Sequence, residues 1–418
     1  TGASSSDKFG EAIALSDTTL IVSAVSSDVG SLNAGMVYAY DFDGTSWGDE
    51  TLLDAFDINL AVDAEIYGYG VSVAWDEVHH RAFIGAHETR APKQMGRTSG
   101  VIFSWDKSPA TKDWGYGRMY VGEERDGIKF GAKVAANDAH LLGVATLRPP
   151  SNSDTEGMGG VFSWTIDVNG AVSNGHITQA LKQNDDLNYG KSVDIKGDLI
   201  AIGAPHTSGN NTPGEVSIFR RVEENGTRWH REARLVSDGA SDTNLGQVVR
   251  WVGDALLIGN GSGNDKLLLV TPDPNGGWSE PDRVLPFSGA DGFPQTTASD
   301  GDRALLSKIG GGSPLEFYRY DAMSQRLEEL ASLTDLSPEQ SSDFGTTIAL
   351  GGDIALATGT VGAGKRVFIH EFDGSSWSYK QTLEDPTRTD NTCFGAALAT
   401  DGDLIAVTSC LYNGNTPD

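Results

Sequence analysis

The sequence predicts an all-β fold built from repeated four-stranded antiparallel sheets, and three observations carry that reading. First, a large apolar residue followed by Gly or Pro recurs eight times. The openings are Phe9-Gly10, Tyr69-Gly70, Phe130-Gly131, Tyr189-Gly190, Leu245-Gly246, Phe293-Pro294, Phe344-Gly345 and Phe394-Gly395, at intervals of 48 to 61 residues. Second, each opening leads into short apolar/polar alternations broken by tight Gly turns, the signal of β-hairpins. Third, the chain holds 52 Gly among 418 residues with only 21% charged, a composition that suits a turn-dense β chain. Self-similarity at this period is that of a propeller blade. The expectation is therefore a β-propeller of four-stranded antiparallel blades forming one domain over residues 1–418. Eight blades are preferred and seven are the alternative, with the last blade incomplete.

The repeats justify this in order. The first pairs residues 11–15 with 20–24 and adds the strand 36–40, after which Asp41-Phe42-Asp43-Gly44 turns toward Trp47. That acidic spacing has the look of a calcium loop, but Asp-Gly between two alternating strands is the stronger sign of a tight hairpin. The second repeat carries His79-His80 in its first turn and a long loop, 88–99. Neighbouring residues on a strand face opposite sides, so the two histidines could share a metal only on a loop, and a solvated insertion is expected. The third has a loop at 148–157. The fourth is the least eroded: Tyr189-Gly190 opens it, Lys196-Gly197 turns it, Gly203-Ala204-Pro205 ends its second strand, and Trp229 begins its fourth.

The fifth repeat is compact, at 245–252, 255–258 and 267–270. The sixth has Pro294 in the Gly position, which suggests a strand edge or a bulge. Within it, residues 323–330 are the best helical candidate and equally the turn and start of an outer strand. The seventh is regular. The eighth supplies one hairpin, 394–408, before Asn415-Thr416-Pro417, which repeats the Asn211-Thr212-Pro213 that precedes the third strand of the fourth repeat. The chain is expected to stop mid-blade. Trp47, Trp114, Trp229, Trp278 and Trp377 recur on the fourth strands, and recurrence at one repeat position argues for packing rather than for a row of sugar-stacking platforms.

These openings, with Gly203-Ala204-Pro205 and its weaker form Gly85-Ala86-His87, resemble the FG-GAP repeat of integrin α-chain propellers and of many secreted proteins. The resemblance implies a propeller used mainly for extracellular recognition, in some members attached to an enzyme or carrying a lyase site. It also implies calcium in an acidic loop between the first two strands of a blade. Here that loop is too short to wrap an ion, so Asp198, Asp254, Asp353 and Asp403 are expected to brace turns, with no metal site and no cofactor.

Composition narrows the function. Lys plus Arg is 31 against 58 Asp plus Glu, a net charge of −27 that disfavours nucleic acid and anionic membranes. No apolar run approaches the ~20 residues of a membrane span. The first residue is Thr, so the chain is expected to be a mature protein or a fragment. Sequons at Asn210, Asn225 and Asn260 could accept N-glycans. The eight histidines are dispersed, and no phosphate loop or Cys/His metal spacing stands out, so no catalytic residue is assigned. The expected role is an extracellular, secreted, non-catalytic module for recognition, adhesion or assembly. It would bind a protein or glycan on an extracellular surface through the long loops. Its alternatives are a carbohydrate-active enzyme such as a polysaccharide lyase and a structural subunit of an extracellular filament or sheath.

Cys393 and Cys410 are the only cysteines. If Asp401-Gly402 is a two-residue hairpin turn, Cys393 stands directly opposite Cys410 as a non-hydrogen-bonded pair with Cα atoms about 4.5 Å apart. That separation suits a disulfide.

Overall fold

The structure is a computed structural model that describes residues 8–27, 34–55, 66–89, 100–121, 129–137, 139–145, 160–172, 176–179, 189–205, 214–222, 228–236, 245–260, 267–279, 282–283, 296–307, 315–333, 343–386 and 393–409. Among these residues every regular element is a strand. The strands form seven four-stranded antiparallel sheets and one two-stranded sheet, each in sequence order from first strand to last. The chain is thus all-β and built of propeller blades. The preferred count of eight is corrected to seven complete blades, because the eighth repeat supplies only the pair Leu398–Thr400 and Ile405–Val407.

The blades fall into two compact units, residues 1–185 and 186–409. In the first unit, blade one runs from Phe9–Leu15 to Thr51–Leu52, blade two from Tyr69–Asp76 to Trp114–Val121, and blade three from Phe130–Ala136 to His176–Gln179. In the second unit, blade four runs from Ser192–Lys196 to Arg228–Val236 and blade five from Leu245–Val252 to Asp282–Arg283. Blade six runs from Thr297–Asp300 to Arg326–Leu333, blade seven from Ile348–Gly351 to Trp377–Leu383, and the lone hairpin follows. Within each unit the first strands of successive blades lie side by side. Residues 323–330 are a turn followed by an outer strand, not a helix, because the Asp321 carboxylate accepts the Met323 and Ser324 amides and starts a hairpin.

The repeated opening has a local cause. In Lys8-Phe9-Gly10-Glu11 the Glu11 amide donates to the Lys8 carbonyl at 3.3 Å and Gly10 has φ 89°. The same bond joins Val71 to Gly68, Ala132 to Lys129 and Ala396 to Cys393. This is a type II turn, whose third residue needs positive φ and is therefore Gly. The turn inserts two residues into the strand: Leu245 faces Asn260, but Val248 already faces Gly259. Such a bulge bends the strand at its entry into the blade.

The Gly of the opening and the Gly of the second strand meet across blades. A Cβ on Gly203 of blade four would strike the carbonyl oxygen of Gly246 in blade five, and one on Gly85 would strike that of Gly131 in blade three. A hydroxyl from the same place ties the seam: Ser192 donates to the Gly246 carbonyl at 2.7 Å, and Ser72 to the Gly131 carbonyl at 3.0 Å. Where the second-strand Gly is replaced by Ser23, Thr358 or Thr408, that hydroxyl instead accepts the amide of Ala12, Thr347 or Ala397 from the facing first strand.

Apolar halves of neighbouring sheets fill the space between blades. Tyr69 is fully buried with Ile21, Val37 and Leu53 of blade one, stacks edge-on against Phe103, and donates its hydroxyl proton to the Leu53 carbonyl at 2.9 Å. Phe130 lies against Phe162 and Trp164, and Phe344 against Phe368. Trp377 of blade seven meets Phe317 of blade six with ring centres 4.7 Å apart. Of the recurring tryptophans, Trp114 packs on Trp75 and Trp278 on Trp251, while Trp47 covers Phe42 but stays 37% exposed.

Candidate functional site

The residues singled out in the sequence fall as follows. Asn210, Asn225, Cys410, Pro294, loop residues 90–99 and the loop 148–157 lie outside the described residues. Asn260 ends the strand Ala255–Asn260, opposite Leu245, rather than tipping a loop. Cys393 precedes the last opening, its carbonyl accepting the Ala396 amide. Asp254 and Asp353 brace turns: Lys196 of blade four reaches Asp254 of blade five at 2.6 Å, and Arg303 of blade six reaches Asp353 of blade seven at 3.0 Å. Asp198 pairs with Arg221. The Asp43 carboxyl is held at about 2 by the Thr45 hydroxyl and the Ser46 and Thr45 amides, and Asp373 likewise by Ser375 and Ser376.

The strongest side-chain constellation is at the turn end of blade two, and the sequence reading missed it. Strands Tyr69–Asp76 and Arg81–Ala86 are joined by four residues, with His80 at φ 51°. The Asp76 side chain is fully buried. One of its oxygens accepts the amides of Val78 at 3.1 Å and His79 at 3.2 Å. The other lies 2.7 Å from His79 Nδ1. His79 is therefore folded under the turn, with only 9% of its side chain exposed, instead of projecting into solvent as the sequence suggested. Asp76 stands three residues before His79, and an Asp at the head of a turn draws donors back onto itself. That spacing was the available signal.

Arg81 completes the cluster. Its Nε donates to Asp106 on the third strand, and Nη1 donates to the Gly170 carbonyl of blade three at 2.7 Å. Burial works against the Arg81 charge, but the hydrogen bond and attraction of Asp106 outweigh it and raise its pKa. Gly170 closes over the histidine, since a Cβ there would stand 3.2 Å from His79 Cδ2. On the other side of the blade, Lys107 Nζ is buried against Thr19 at 2.8 Å and Asp41 at 2.5 Å, across the seam with blade one.

Chemically, an ionised Asp76 can only accept, so His79 Nδ1 carries the proton and Nε2 keeps its lone pair. That Nε2 is buried and has no hydrogen-bond partner among the described residues. At the opposite end of the blade, burial lowers the His87 pKa, opposed by Glu88, which Lys129 also holds. Among the described residues no group of three or more His, Cys, Asp or Glu side chains is placed to hold a metal ion. No described helix is long and apolar enough to cross a membrane.

Comparison with known proteins supports the fold. Residues 1–40 match the FG-GAP repeat. No curated protein matches the sequence. Among solved structures, a prolyl endopeptidase is similar at TM-score 0.50 and 9% identity, covering 90% of this chain and 50% of that one. The Pseudomonas aeruginosa periplasmic gluconolactonase PpgL is similar at TM-score 0.48 and 12% identity, covering 90% and 95%. A protein from Lactobacillus plantarum gives TM-score 0.49 and 11% identity, covering 87% and 95%. These identities show the fold alone. The expectation of an extracellular, non-catalytic recognition, adhesion or assembly module is corrected by them, since the relatives whose names state an activity are a lactonase and peptidases. The lyase and filament-subunit readings gain nothing from them. With the repeat matched at residues 1–40 and the blades built as they are, the chain is an FG-GAP β-propeller.

Proposed function

We propose that the chain is a hydrolytic enzyme in which His79, oriented by Asp76, acts as general base on a water that attacks an ester or lactone carbonyl. The observation that carries this is the Asp76–His79 pair at 2.7 Å, with Nε2 left unpartnered among the described residues. A carboxylate on Nδ1 fixes the tautomer in which Nε2 accepts a proton, and it stabilises the imidazolium that forms. Arg81 adds a fixed positive charge beside the pair, of use where an oxyanion develops. The substrate would enter by displacing the turn at residues 167–171, whose tip residue Val168 is 92% exposed.

A second reading has its own observation: Asp76 also accepts two turn amides, and Arg81 grips the Gly170 carbonyl. On that reading the cluster is a clasp between blades two and three. One experiment separates the two. Hydrolysis of a panel of lactones and aryl esters by the wild type, Asp76→Asn and His79→Gln is measured beside their melting temperatures. The hydrolase reading expects kcat/KM to fall about 100- to 10,000-fold in His79→Gln with little change in melting temperature. A wild type that hydrolyses nothing in the panel, with melting temperatures that drop in both variants, favours the clasp and overturns the enzyme.

We also infer that Cys393 and Cys410 form a disulfide and that the protein is secreted. The support is register: the Gly395 amide donates to the Thr408 carbonyl, and the two cysteines stand two residues outward from that pair on either side. A bond there suits an oxidising compartment. Peptide mapping of unreduced protein should return the two cysteines in one linked species. Quantitative alkylation of both thiols without reductant would overturn the inference.

A further inference from the structure

The lone hairpin of the second unit presents an edge that no other blade leaves open. In each complete blade the second strand is paired on both sides; Leu199–Ala204 pairs with Ser192–Lys196 on one side and with Glu215–Val222 on the other. Ile405–Val407 is the second strand of the eighth repeat and pairs, among the described residues, only with Leu398–Thr400. The Thr408 amide donates inward to the Ala397 carbonyl at 3.2 Å. Antiparallel pairing alternates, so Ala406 also points inward and the amides and carbonyls of Ile405 and Val407 point outward.

Side-chain burial agrees. At the corresponding positions of blade four, Ile200, Ala201 and Ile202 are each 0% exposed. Ile405 and Val407 are only half-buried, although they lie on the apolar cluster formed with Leu356, Val367 and Phe394. The hairpin therefore carries the core contacts of a second strand without the third strand that covers it in seven other places.

The geometry points to this edge as an acceptor for strand addition by a partner polypeptide. The incoming segment takes the place of a third strand and so has the chemistry of one: an extended run led by Gly, with alternating apolar residues. The third strands show why. Gly35 and Gly100, just before theirs, sit where a Cβ would strike the backbone carbonyls of Tyr69 and Phe130 in the next blade. Val216 and Ile218 of blade four are each 0% exposed, whereas Arg220 is open to solvent. Main-chain hydrogen bonds supply affinity in this mode, and the alternate side chains supply selectivity. An uncovered edge of this kind attracts strands.

The test uses the whole chain and a synthetic peptide with the sequence of residues 214–222, GEVSIFRRV, titrated by fluorescence anisotropy. By the blade-four register, Ser217 is the peptide residue facing the position of Val407 and exchanging hydrogen bonds with it. Saturable binding is expected. It should weaken at least tenfold for a peptide carrying Ser217→Pro, which has the same charge but lacks that amide. It should weaken equally for the protein variant Val407→Pro, whose altered amide faces away from the first strand. The peptide variant cannot unfold the protein, so the comparison stands even if Val407→Pro lowers the melting temperature. Absence of saturable binding by the wild-type peptide, or equal binding of both peptides, would overturn the proposal.

Discussion

At the residue scale, the repeat motif is explained by contacts that only Gly permits. The opening Gly sits at positive φ in a type II turn and also lies against the backbone of the blade before it. Gly246 has φ 89°, and a Cβ on it would stand 2.6 Å from the Glu215 carbonyl oxygen. Gly374 has a similar φ of 93° but open space around it. Gly374→Ala should therefore lower stability only by the left-handed strain, about 1–2 kcal/mol. Gly246→Ala should add an overpacking term of about 1–3 kcal/mol. Denaturant melts of the two variants check this, and equal losses would mean that the seam contact does not matter. The paired glycines were visible in the sequence as a motif, but their partnership was not, because the two belong to different blades and more than forty residues separate Gly203 from Gly246. The turn role of Asp43 was legible, since Asp-Gly ahead of Thr45 and Ser46 puts donors within reach of one carboxylate. The burial of His79 was not, because it depends on the turn of blade three closing over it.

At the element scale, strand existence was legible from alternation, and turn length was less so. The two-residue turns consist of Gly197-Asp198, Gly253-Asp254 and Gly352-Asp353, one position later than the sequence reading placed them. Gly is the first central residue there, with φ 50° to 53°, while the Asp that follows is not at positive φ, as in a type II′ turn. The last hairpin departs further. Thr400 faces Ile405 across four residues, because Asp401 accepts the amides of Asp403 and Leu404 and widens the turn. Taken alone, that change would carry Cys393 out of step with Cys410. The two-residue insertion at Phe394-Gly395 moves the register back by the same amount, which restores the pairing that the simpler turn implied. The sequence argument thus reached its cysteine pair through two compensating local features, neither of which it contained.

At the scale of the whole molecule, a chain with net charge −27 places several of its 31 Lys and Arg residues between blades. Lys107 joins Asp41, Lys129 joins Glu88, Lys196 joins Asp254 and Arg303 joins Asp353, each pair crossing a seam. The surface pairs contribute little individually, about 0–1 kcal/mol. The buried Lys107 is different, since removing Asp41 or Thr19 would strand its charge. Eight openings were legible in the sequence, yet a complete blade needs four strands, and counting openings counts only first hairpins. The claim on which the architecture and the acceptor edge both rest is that seven blades are complete and the eighth hairpin is open on one side. Residue-resolved hydrogen exchange tests it most directly. The amides of Ile200 and Ile202, which face a third strand, and of Ala406, which faces the first strand of its hairpin, should be protected, while those of Ile405 and Val407 exchange at rates close to unstructured chain. Protection of Val407 equal to that of Ile202 would contradict the account.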